Sequence, residues 1–250
     1  MEYWRKRQLQ ILTLAYEEAL KELRSIYKDA TDRIQKELTK LYLEICDDQD
    51  TPIVSKLYQY NRYYRLIREL QKIVTDLGLK EEKILTNSMQ NLYITNFNKL
   101  GEKLPPAPLI DTDTIKRLIN EDWVGDGNNF SDRLWKNKAL MANNAKKYIM
   151  LSIAEGKHPY KFVKDLEPYL KKNSLQIAKR LLITEMAHTQ YISTLERYKA
   201  ASIDKVQILT ANDDKVCQEC IDRSNKEYDI DNCPVLPTHC FCRCTLIPVI

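Results

Sequence analysis

Residues 9–45 read LQILTLAYEEALKELRSIYKDATDRIQKELTKLYLEI, and their spacing decides the fold class. Leu9, Leu12, Tyr16, Ala19, Leu23, Ile26 and Ala30 recur by threes and fours, and Ile34, Leu38, Leu41 and Ile45 extend the stripe. Such a stripe is the apolar seam of a helix, and it needs a partner helix within the chain or on another subunit. A helix over residues 5–46 would reach about 60 Å at ~1.5 Å per residue, longer than a compact domain needs. The segment reads as an arm or one limb of a helical hairpin.

Working outward, Asp47, Asp48, Gln49 and Asp50 end that helix, and Thr51 with Pro52 offers a cap and a first-turn proline for the next. The second helix is expected to stop at Gly78 and a third to span Glu81 to Lys99. Gly101 and the PPAP stretch at 105–108 follow, giving a proline-rich linker at 105–110. Beyond it, Asp111 or Thr112 can cap a short helix through Ile119. The loop EDWVGDGNNF leads to Ser131 as the cap of a helix through Ala154, and Pro159–Leu170 and Ser174–Ala200 continue the helical pattern. Only KVQILTA (205–211) and RCTLIPV (243–249) are short and β-branched, as a small antiparallel pair would be. The fold class is therefore mainly α: an N-terminal helical arm or hairpin over 1–104, then a helical region over 111–250. That region ends in a small α+β lobe at 203–250.

The chain has 250 residues, 44% apolar and 30% charged, with 5 glycines and 9 prolines, which suits a helical globular protein. A net charge of +4 allows non-specific contact with DNA without arguing for it. MEYWRKRQLQ is followed by no apolar run with a cleavage site, and no run approaches the ~18 apolar residues of a membrane span. The expected setting is a reducing cytosol without membrane contact.

Six of the seven cysteines lie in VCQECIDRSNKEYDIDNCPVLPTHCFCRC, residues 216–244. Cys217 and Cys220, two residues apart, can aim both sulfurs at one ion from a tight turn. His239 with Cys242, or Cys242 with Cys244, can complete a four-ligand shell. The first choice is Cys217, Cys220, His239 and Cys242, with Cys244 as the substitute and Cys233 and Cys240 unassigned. Disulfides, a Cys–His nucleophile and simple packing of small buried thiols are the competing readings. Spacing and compartment favour zinc, and a closed sulfur-rich shell leaves no position for water, so the ion would be structural.

RLLITEMAHTQYISTLERYKAASIDKVQILTANDDKVCQEC (180–220) followed by HCFCRC (239–244) resembles the phage Mu protein F-like family of minor head proteins. The matching positions are Thr184 and Glu185 in a helix, Asp213 and Asp214 in a turn, Cys217 and Cys220, and the closing His239, Cys242, Arg243 and Cys244. FSDRLWKN (130–137), EGKHPYKFVKDL (155–166) and the opening YWRKR are similar to members from Gram-positive phages. The chain departs from the pattern at Ile183, where arginine is usual and Arg180 lies one turn earlier. It departs again at Cys240, where proline is usual, and at Asn225, where glycine is common. The resemblance implies a minor capsid protein at the portal vertex and head interior of a virion. It implies roles in head morphogenesis and in DNA packaging or ejection, and a stay in the host cytoplasm during assembly. Its implied partners are the portal protein and the scaffold or major capsid protein.

Tyr3, Trp4, Arg5 and Arg7, with Lys6, are candidate partner anchors, since aromatic and arginine residues dominate interface hot spots. Tyr58, Tyr60, Tyr63 and Tyr64 alternate with Arg62 and Arg65, a pattern that can stack on bases but more often packs on a neighbouring helix. Arg180, Thr184 and Glu185 invite comparison with toxin-type transferases, but no glycine-rich phosphate loop accompanies them. Glu185 is expected to order the turn before the cysteines or to pair with Arg243, and His158 and His188 to be ordinary. The reading is a structural protein and not an enzyme. A nucleic-acid-binding zinc protein and a transferase-like toxin are the alternatives.

Overall fold

A computed structural model describes residues 2–49, 51–108, 110–155, 157, 164–166, 168–210 and 216–249. The side chains of Glu2, Arg5, Tyr169 and Lys171 lie outside that description, as do His158, Asp213, Asp214 and half of the expected Pro159–Leu170 helix. Helix α1 runs over Glu2–Ile45 and buries the expected seam at Leu12, Ala19, Leu23, Ala30, Ile34, Leu38, Leu41 and Ile45. Its partner is α3, Arg62–Gly101, which returns antiparallel. Among the described residues no helix is long and apolar enough to cross a membrane.

The turn between them differs from the expectation. The carboxylate of Asp47 accepts from the amides of Gln49 and Thr51, and Cys46 bridges to Pro52. The short helix α2, Val54–Tyr58, therefore starts two residues late, on Ile53, with no side-chain cap. A break at Gln59–Asn61 separates it from α3, with Tyr60 and Asn61 at positive φ. Only Tyr63 of the four tyrosines is buried. Tyr60 is 84% exposed, with the Arg62 guanidinium 5.1 Å from its ring, so burial accounts for one tyrosine of the four.

Gly78 does not end a helix, because α3 continues through it to Gly101. A Cβ at Gly78 would lie 2.7 Å from a ring carbon of Trp135, so the glycine is where an indole meets the backbone. Trp135 belongs to α5, Phe130–Ala154, whose first turn contains Ser131. Ser131 donates to Glu82 and does not cap the helix. Helix α4, Thr112–Ile119, starts as expected: the Asp111 carboxylate accepts from the amides of Asp113 and Thr114. A π-helical turn at Tyr169–Ser174 leads into α6, Leu175–Lys199.

The chain divides into two compact units, each assembled from separated segments. One comprises residues 21–83 and 131–179. Among its described residues the buried ionic group is a triad, with Lys138 Nζ 2.5 Å from Glu81 and the Tyr27 hydroxyl donating to Glu81 at 2.8 Å. The other comprises residues 1–20, 84–130 and 180–250. Here the proline-rich segment is pinned, since buried Arg197 of α6 donates to the carbonyl of Pro105 and lies over the Phe97 ring. A polar network joins three parts of this unit. Gln8 donates to the Leu246 carbonyl, Gln190 to the Gln8 carbonyl, and Asn96 to Thr194.

This second unit contains the sheet. Strand β1, Lys205–Leu209, is central; β2, Glu227–Asp229, and β3, Thr245–Pro248, pair antiparallel on its two sides. The expected pair is β1 with β3, in register Val206 with Pro248 and Leu209 with Thr245. Strand β2 is an addition that the polar sequence KEYD does not signal. Val206, Ile208 and Leu246 join Leu100, Tyr191, Tyr198, Ile230 and Leu236 in the core cluster, and Trp4 and Cys233 pack on its margin.

Candidate metal centre

The amide of Cys220 points at the sulfur of Cys217, 3.4 Å away, because Cys217 caps the six-residue helix α7, Gln218–Arg223. That turn is what a C-x-x-C spacing provides: two sulfurs on one side of a tight bend. Asn225, two residues beyond the helix, has φ of 61°. The left-handed region suits glycine first and asparagine next, which accounts for the departure at this position.

The closing segment brings the remaining ligands. His239 Nε2 lies 3.1 Å from Cys217 Sγ and 3.4 Å from Cys220 Sγ, and Cys220 Sγ lies 3.7 Å from Cys242 Sγ. Metal–sulfur bonds of about 2.3 Å and metal–nitrogen bonds of about 2.0 Å at tetrahedral angles put sulfurs ~3.8 Å apart and sulfur and nitrogen ~3.5 Å apart. The observed separations are close to these edges. All seven cysteines are free thiols. His239 Nδ1 sits 2.9 Å from the Cys240 carbonyl, which fixes the hydrogen on Nδ1 and turns the Nε2 lone pair toward the sulfurs.

Five potential ligands thus gather as two groups of three that share Cys220: Cys217, Cys220 and His239, and Cys220, Cys242 and Cys244. Such a cluster can hold a metal ion. Its electrostatics suit a cation, because anions so close cannot all form without one. A hydrogen bond from the Cys244 thiol brings Cys242 down to about 5, while the same bond drives Cys244 far above the thiol range. Burial pushes Cys220 up to about 11. The Cys220 amide lowers Cys217, and the Cys240 carbonyl raises His239. Thr238 supports the site from behind, its hydroxyl 3.5 Å from Cys220 Sγ.

Cys233 and Cys240 stand apart from the cluster. Cys233 packs on the core margin, and burial pushes its thiol up to about 11. Cys240 is exposed and lines a pocket of about 420 Å³ with Phe241, Ile183, Leu9 and Tyr16. Phe241 has a φ of 63°, and this local reversal separates Cys240 from its neighbours in HCFCRC.

A support that sequence reasoning missed is Trp123, in the loop 120–129. Its indole donates to buried Glu185 at 2.9 Å and stacks on His188 at 4.3 Å. His188 in turn bonds the carbonyl of Leu236, three residues before His239, at 2.8 Å. Burial lowers His188 to about 4. A lone tryptophan in a polar loop was the available signal. Of the N-terminal set, Tyr3 is 45% exposed, Trp4 packs edge-on to it and on the core margin, and Arg7 bonds Glu102.

A helical body closed by a Cys–His knuckle at its C-terminal end defines the class of architecture. Residues 143–247, a segment that contains the whole cluster, match the family model described as Phage Mu protein F like protein. The resemblance carried by Thr184, Glu185 and the cysteine pattern holds over that segment. No curated protein and no solved structure matches the chain.

Proposed function

We propose that the chain is a structural minor head protein of a tailed phage or prophage. It sits at the portal vertex and head interior and serves head assembly and the packaging or ejection of DNA. The observation that supports this reading is that one segment, 143–247, carries both the family match and the converging cluster. The ion is read as zinc, held by Cys217, Cys220, His239 and Cys242, with Cys244 as the substitute ligand.

Bound there, zinc would supply folding energy rather than an activated water, because four protein ligands fill its shell. The chain's own residues do the positioning. The α7 cap presents Cys217 and Cys220, the Cys240 carbonyl orients His239, and the thiol of Cys244 stabilises the Cys242 thiolate. The result joins the α7 turn to the segment entering β3. Tyr3, Trp4, Arg5 and Arg7 are the proposed contacts for the portal, with the scaffold or major capsid protein as a further partner.

Co-expression with the portal gene tests the assignment. The protein is expected to co-purify with the portal oligomer and to appear in purified particles at few copies. Intact protein that forms no portal complex and is missing from particles contradicts it. Turnover of a nucleotide or peptide that is lost on changing Glu185 or Cys240, with folding unchanged, would contradict the structural role. Sequence-independent DNA binding whose log affinity falls steeply with log salt would favour the nucleic-acid reading.

A further inference from the structure

The seam of α1 is covered within the chain, but α1 carries a second stripe on another face. Arg7, Gln10, Ile11, Leu14, Ala15 and Glu18 form one wall of a groove of about 380 Å³, with Thr95 and Lys99 of α3 on the other. Steps of three and four residues place these six on one helical face. Leu14 is 59% exposed, although it lies mid-helix and apolar.

The stripe is polarised. Arg7 and Lys99 make one end basic, and Glu102, which bonds both, offsets one of the two charges. Glu18 makes the other end acidic, about 16 Å away along the helix. Among the described residues Glu18 has no ion-pair partner.

The order of residues is also self-complementary under reversal. A twofold axis crossing α1 between Leu12 and Thr13 sets Arg7 opposite Glu18 of a second copy, Gln10 opposite Ala15, and Ile11 opposite Leu14. Opposite charges then meet at both ends, apolar residues meet in the centre, and a small residue faces a long one in between. Twofold interfaces require this isologous matching. An unrelated partner helix would place no such demand on the sequence of α1. We propose that the chain forms a homodimer in which α1 packs antiparallel on α1 of a second copy through the stripe from Arg7 to Glu18.

Sedimentation of the 250-residue chain tests the proposal, with circular dichroism on every variant. The wild type is expected to dimerise reversibly with a Kd on the order of 10 µM or tighter. Arg7→Glu and Glu18→Arg each place like charges at both ends, and each is expected to raise the Kd about tenfold or more. An equimolar mixture of the two variants restores the dimer, because every reversed end then meets its complement. Leu14→Asp, at an exposed position, is expected to abolish the dimer while leaving the helical signal unchanged. A wild type that stays monomeric at about 100 µM overturns the proposal. So do a mixture no tighter than its components and a Leu14→Asp dimer as tight as the wild type, the latter two pointing to another surface.

Discussion

The two compact units reach stability by different means. The unit of residues 21–83 and 131–179 is built from helices, which satisfy their own backbone hydrogen bonds and need only apolar faces to pack. It also tolerates a buried ionic group, the Lys138–Glu81–Tyr27 triad. The other unit ends in strands of three to five residues, of which β1 and β3 bury Val206, Ile208, Leu209, Leu246 and Ile247. There the chain uses side-chain cross-links: the Gln8, Asn96 and Gln190 network, the Trp123–Glu185–His188 stack, and the sulfur cluster. The helical unit relies chiefly on packed apolar faces, while the unit that carries the strands adds polar contacts between its helices and a cysteine cluster to its packing.

The largest predicted effect lies in the lobe. Cys220→Ser, or a strong chelator, is expected to unfold residues 203–250, because structural zinc sites supply on the order of 10 kcal/mol. Limited proteolysis would show cleavage within the lobe while the fragment 21–83 stays protected, and Cys240→Ser would cut like the wild type. Equal loss of both units would erase the contrast between them.

Lys138→Met probes the helical unit and leaves buried Glu81 without its cation. Removing one partner of a buried pair costs about 3–5 kcal/mol, read as a lower urea midpoint, and Glu81→Leu added to it should recover part of the loss. A smaller effect comes from His188. Burial lowers its folded pKa to about 4, below the ordinary value of ~6.5, so the folded state takes up its proton later than the unfolded chain. Its contribution is therefore complete above pH ~6.5 and is lost as pH falls through about 4, by up to ~3 kcal/mol. Urea titrations at several pH values should show this slope, and His188→Gln should flatten it. Gly78→Ala is the mildest. The gain of up to about 1 kcal/mol in helix propensity is outweighed by overpacking against Trp135, for a net loss of ~1–2 kcal/mol in thermal unfolding.

The seam of α1 was legible because its period is local and long. Asp111 as a cap was legible for the same local reason. Gly78 misled because a glycine that admits an indole from α5 has the same letter as one that stops a helix. The tyrosines at 58–64 misled because the break at Tyr60 and Asn61 uses positive φ without a glycine. At the cysteine cluster, Cys217 and Cys220 announce themselves by spacing. The separation of Cys240 from Cys242 and Cys244 does not, since it depends on the backbone reversal at Phe241. Trp123 contributes through a contact with Glu185 sixty-two residues away, which no motif encodes.

The zinc staple is the claim on which the contrast between the units rests, and metal analysis of protein purified without added metal tests it most directly. The account predicts about one equivalent of zinc, with exposed Cys240 open to a thiol reagent and Cys217, Cys220 and Cys242 protected until a chelator is added. Less than about a quarter of an equivalent, with the cluster thiols titrating freely in folded protein, would contradict it.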